Sequence, residues 1–249
     1  MAEFDKQAAR SYGMGASRAG LSAIDEGLRA YMLQVYNYMA IGLAVTGVVA
    51  LGAFTMAFSG GQLTAFGNAI YVSPLKWVII FAPLAMVFLL SARLNSMSLG
   101  GAQLAFWGFA ALMGLSLSSI FLVYTGTSIA RVFFITAASF GALSLYGYTT
   151  KKDLSGWGSF LFMGLIGVII ASVVNIFLAS SALQFAISVI GVLVFAGLTA
   201  YDTQQIKEMY SANDDGTMSG RKAIMGALRL YLDFINLFVM LLSLFGNRQ

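Results

Sequence analysis

The sequence predicts an all-α membrane protein, a bundle of seven transmembrane helices, and three observations lead there. Hydrophobic residues make up 59% of the 249 residues and charged residues only 10%, against roughly 25% charged in a soluble domain. Seven stretches, near 33–57, 77–94, 103–124, 129–149, 158–179, 182–204 and 226–246, each supply the roughly 20 mainly apolar residues that a membrane helix needs. Together they fill the chain and leave no length for a soluble domain, and the mean hydropathy of +0.83 agrees.

The first thirty residues are polar and charged, without the short apolar core and small-residue cleavage site of a secretory signal. Within them Leu21, Ile24, Leu28 and Met32 recur at helical spacing, and Ser22 and Asp25 stand as a capping box, which predicts a short interfacial helix. The chain therefore divides into a tail, 1–32, and a seven-helix domain, 33–249. Pro83 in segment two marks a kink, for gating or for packing. Ala110, Gly114 and Ser118 at four-residue spacing, and Gly167 with Ala171, allow close helix approach, within one bundle or between copies. Residues 211–220 (SANDDGTMSG) read as a flexible loop. Its Asp214 and Asp215 lack the alternating ligands and distal Glu of an EF-hand and are expected to be solvated.

Lys and Arg placement orients the segments, because cytoplasmic flanks carry the positive excess. Lys6, Arg10, Arg18 and Arg29 precede segment one; Arg93 closes segment two; Lys151 and Lys152 follow segment four; Lys207, Arg221 and Lys222 lie between six and seven. Lys76, Arg131 and Arg248 fall on the other side, with Arg229 at the boundary. The N-terminus is thus expected in the cytoplasm and the C-terminus outside.

Several chemistries are removed by composition. The absence of Cys and His takes away disulfides, thiol catalysis and the imidazole pH switch. A pI near 9.3 does not indicate nucleic acid, since the basic residues are scattered over loop ends without an aromatic-interleaved patch.

What remains is Asp202 and Asp233, inside segments six and seven. A charge at the centre of a membrane helix costs roughly 2.5 to 3.5 kcal/mol on insertion scales, so an intramembrane Asp points to an ion or proton site. Asp202 is followed by Gln204, Gln205 and Lys207 at the inner interface, and Asp233 lies four residues beyond Arg229, about 6 Å deeper. Matching depths on consecutive antiparallel helices let the carboxyls meet. Two close carboxyls in a low dielectric resist simultaneous ionisation. Sharing a proton they hydrogen-bond; without it they repel and offer hard oxygens to Ca²⁺. Arg93, on the same side, is the expected counter-charge; Arg229, one turn before Asp233, is the local alternative, and salt bridges that merely anchor helices are the plainer reading.

Other seven-span chemistries fit less well. A retinal protein needs a Lys in its last helix, and segment seven has none. An aspartyl protease is expected to carry a GxGD-type context, which YDTQ lacks. A proton-coupled transporter is the stronger competitor, with Asn175 and Asn236 as candidate linings of a substrate cavity.

Residues 200–204 (AYDTQ) and 230–246 (LYLDFINLFVMLLSLFG) resemble the signature ends of the Bax inhibitor-1 family. Seven spans, a polar N-terminal tail and basic inner loops extend the resemblance over nearly the whole chain. It implies a bundle with the last helix central and, in bacterial members, a pH-sensitive calcium leak governed by a di-aspartyl pair, onto which Asp202 and Asp233 fall. It implies an Arg on the second helix that pairs with them, for which Arg93 in the looser context SARLNS is the position. The expectation is therefore a non-enzymatic channel of the cell inner membrane that requires no cofactor and leaks Ca²⁺ across the lipid bilayer, with protons binding at Asp202 and Asp233 to control a gate on the cytoplasmic side. Other members modulate a membrane protease or suppress cell death, which leaves binding of a membrane protein partner as the alternative.

Overall fold

With no water in a bilayer core, backbone polar groups must be satisfied inside each segment, and apolar runs of this length do so as helices. A computed structural model of the chain describes the backbone of residues 2–248 and the side chains of residues 26–248 apart from Asn95. Seven long helices result: α1 Ala2–Ala57, α2 Leu75–Arg93, α3 Leu99–Leu117, α4 Gly126–Thr149, α5 Ser155–Leu178, α6 Ser181–Glu208 and α7 Gly216–Phe245. All seven carry a stretch long and apolar enough to cross a membrane, beginning in α1 at Glu26. The backbone of α1 is continuous through the junction expected near residue 32; the Ser22 and Asp25 capping box lies outside the described side chains.

Helix starts follow local chemistry. Ser98, Thr125, Ser180 and Asp215 accept hydrogen bonds from the backbone N–H groups of Gly101, Ser128, Leu183 and Met218, the usual way orphan donors at a helix N-terminus are satisfied. Between α1 and α2 the chain makes a small hairpin, β1 Phe58–Ser59 paired with β2 Gln62–Leu63. Gly60 and Gly61 turn it with φ of 60° and 79°, a conformation glycine adopts without steric cost.

The expected loop 211–220 is shorter than the sequence suggests. The chain becomes helical again at Gly216, ten residues before the apolar run at 226. Asp215 caps this helix through Met218 N at 2.6 Å, and Asp214 is not freely solvated but pairs with Lys222 at 2.6 Å. Apolar continuity misses these first turns because they bury only one stripe, including Gly220, Ala223 and Ile224.

The last helix is central. The apolar window of α7 is 56% buried, against 11% for α2 and 11% for α5, and α7 packs against α6, α1, α4 and α3. By contrast α2 packs mainly on α3, and α5 mainly on α6. Tyr231, fully buried, anchors α7: its ring meets Phe109 edge-on at 5.1 Å, and its hydroxyl lies 2.6 Å from Thr46 Oγ1, which also donates to Ala110 O at 2.9 Å. One polar knot thereby ties α7, α1 and α3.

The small-residue stripe of α3 serves this packing. Ala110, Gly114 and Ser118 are all buried, and a Cβ at Gly114 would stand 2.5 Å from Thr46 O, so the spacing lets α1 and α3 touch within one chain. Gly167 differs, since a Cβ there would meet nothing within 4 Å. At the far end of α7, Thr125 N donates to Asn247 O and Asn247 N donates to Ser128 Oγ. The tail is thus fastened beside the start of α4, at the opposite end of the bundle from Lys207, so α7 crosses it completely.

Candidate functional site

Consecutive residues of the AYDTQ motif point to different neighbours, as a turn of about 100° per residue requires. Tyr201 packs over Gly158 of α5. Thr203, fully buried, donates to Thr199 O and meets Ser144 Oγ of α4 at 2.9 Å. Gln204 clamps the α4–α5 connection: its Nε2 donates to Lys152 O at 2.9 Å and its Oε1 accepts Leu154 N at 2.8 Å. Asp202 is left facing the interior of the bundle.

There it meets Asp233. The two carboxyls line the same cavity and lie close enough to interact. Asp233 is 5% exposed, and its Oδ2 is buried without a hydrogen-bond partner among the described residues. A buried carboxyl oxygen left bare is costly, so this atom is a natural seat for a shared proton or a cation. The charge of Arg229 reaches both aspartates, yet no ion pair joins it to either among the described residues. Arg93 is not brought to them: it is exposed at the end of α2, its carbonyl accepting Ser96 Oγ and Met97 N. The residue that shares their environment is Arg229, because it stands on the same helix as Asp233 and one turn away.

Asp202, Asp233 and Arg229 line one wall of a cavity of about 1140 Å³. Its other walls come from α2, including Pro83, from α3, and from α5, including Ser172. Asn236 also lines it while donating to Leu232 O. Asn175 does not line it; that side chain staples the α5–α6 turn, donating to Gln184 Oε1 and accepting Ser180 N. Among the described residues no third acidic side chain joins the pair. Ca²⁺ takes 6–8 oxygen ligands and two carboxylates supply at most four, so the donor set suits passing contact with a cation better than permanent chelation.

Sequence reasoning located both aspartates but missed the clamping role of Gln204 and the Thr46–Tyr231 knot. The adjacency of Gln204 to Asp202 was its only signal; the knot joins residues far apart in the chain and left none.

Seven helices of membrane-spanning length and apolarity, with Asp202 and the buried Asp233 facing one cavity between them, define a multi-pass membrane protein. The family model described as "Inhibitor of apoptosis-promoting Bax1" matches residues 28–249, and the chain belongs to this Bax inhibitor-1 family. It is 52% identical over 225 residues to the inner membrane protein YbhL of Escherichia coli (strain K12), covering 90% of this chain and 94% of YbhL. It is 50% identical over 227 residues to protein RP147 of Rickettsia prowazekii (strain Madrid E), covering 90% and 92%. A protein of Caulobacter vibrioides is 46% identical over the full length of both chains.

Proposed function

We propose that this protein is a pH-sensitive cation leak, with Ca²⁺ as the conducted ion, whose closed state is held by Asp202 and Asp233. The observation that carries the reading is the approach of the half-buried Asp202 to the buried Asp233, one oxygen of which is bare, on the wall of the large cavity between the helices. A shared proton binds α6 to α7 at this point. Its loss leaves two like charges in contact, which pushes the helices apart and turns their oxygens toward an entering cation. Arg229 rather than Arg93 tunes the balance, through a charge that reaches both groups without neutralising either by direct contact.

The inner membrane is the proposed location, in keeping with the name of YbhL, with the N-terminus inside in accordance with the basic flanks. No catalytic role and no resident cofactor belong to this reading. Purified protein in liposomes, loaded with a Ca²⁺ indicator and followed from pH 6 to 8, provides the experiment. Protein-dependent entry that changes across this range supports the leak. Its absence at every pH turns attention to the partner-binding alternative, examined by capture of a membrane protein that survives loss of both carboxyls.

A further inference from the structure

A second concave site lies on the other side of the bundle and does not depend on the leak. Helices α1 and α4 are not a closely packed pair; between them opens a groove of about 600 Å³, within the range of ligand sites. Its walls include Leu33 and Phe140, with Leu145 at its rim, and Leu33 and Leu145 are 52% and 62% exposed. A Cβ at Gly141 would meet nothing within 4 Å, so the missing side chain leaves real space along α4. The polar groups of the floor are already satisfied by one another: Tyr36 Oη lies 2.7 Å from Ser144 Oγ, which lies 2.9 Å from Thr203 Oγ1. An occupant needs no polar atoms along its length.

The mouth is different. Arg29 lines it, and so does Tyr148, whose carbonyl accepts Lys207 Nζ at 2.9 Å and whose ring lies 5.8 Å from the same ammonium. This is the end of the bundle that also carries Lys151 and Lys152 after α4. An apolar slot open sideways from two membrane spans, with cations only at its membrane-surface end, matches a molecule with an acyl chain and an anionic head. We propose that the α1–α4 groove binds an anionic glycerophospholipid of the adjoining leaflet, its chain over Gly141 and its phosphodiester at Arg29, with Lys207 adding to the field.

Native mass spectrometry of the full chain in detergent, with phosphatidylglycerol and phosphatidylcholine as probes, tests this. Wild-type protein is expected to retain phosphatidylglycerol preferentially. Arg29→Gln should weaken that retention about fivefold, whereas Arg131→Gln, at the other end of α4, should leave it unchanged. Gly141→Leu should abolish it while keeping the wild-type melting temperature in lipid-free micelles, because the added side chain enters open space. Equal retention of the two lipids by wild type, or an Arg29→Gln variant that retains phosphatidylglycerol as wild type does, overturns the proposal, and the Arg29 comparison decides it even if Gly141→Leu fails to fold.

Discussion

Tyr231 Oη on α7 lies 2.6 Å from Thr46 Oγ1 on α1, two residues before Asp233 and on the opposite face of the helix. Asp233 is therefore held against Asp202 by a helix whose rotation is fixed from behind. Tyr231→Phe keeps the ring against Phe109 and removes only the hydroxyl, and is expected to cost about 1 kcal/mol, read as a lowered thermal midpoint in micelles. An unchanged midpoint would show that aromatic packing alone sets the rotation.

The two kinds of glycine in the apolar segments should separate in the same measurement. Gly114→Val forces a side chain toward the Thr46 carbonyl and should destabilise by about 1 to 3 kcal/mol. Gly167→Ala meets nothing within 4 Å and should leave the midpoint at or slightly above the wild-type value, because alanine loses less backbone freedom in a helix.

Gln204 offers a local readout. Its amide holds both Lys152 O and Leu154 N, so Gln204→Ala should free the α4–α5 connection and speed tryptic cleavage after Lys151 or Lys152 by roughly tenfold. Cleavage at the wild-type rate would mean that the connection is held by other contacts.

Asp153 gives a pH dependence outside the membrane. The Ser155 backbone N–H donates to its Oδ1 at 2.8 Å, and this bond, joined by the Ser155 side chain, holds the exposed carboxyl below its ordinary range. A lowered folded-state value means the contribution is complete above the unfolded Asp value of about 3.9 and is lost as pH falls through the lower folded value. The Ser155 amide resonance should titrate with a midpoint below about 3.9; a midpoint at or above it contradicts the assignment.

The two arginines can be told apart by function. Arg229→Gln withdraws a counter-charge from the ionised pair and should displace the midpoint of the flux–pH curve to alkaline pH, while Arg93→Gln should keep the wild-type midpoint. The reverse pattern would restore Arg93 as the tuning residue.

The number of spans and the convergence of Asp202 and Asp233 were legible in the sequence because bilayer thickness sets segment length and consecutive antiparallel helices are commonly neighbours. The start of α7 was not, since Gly216 to Met225 carries a narrow apolar stripe under polar residues. The choice between Arg93 and Arg229 was hidden for another reason: both lie near one end of the bundle, and only the azimuth of each helix decides which cation faces the cavity. The partners of Asn175 show the same limit, as an amide that could line a cavity instead closes a turn.

Calcium flux through purified protein in liposomes, compared at pH 6 and pH 8 for wild type, Asp202→Asn and Asp233→Asn, bears most directly on the carboxyl pair. Wild-type flux is expected to rise with pH, as the shared proton leaves, and both variants are expected to conduct at a rate insensitive to pH. Wild-type pH dependence preserved in either variant would contradict this role of the pair.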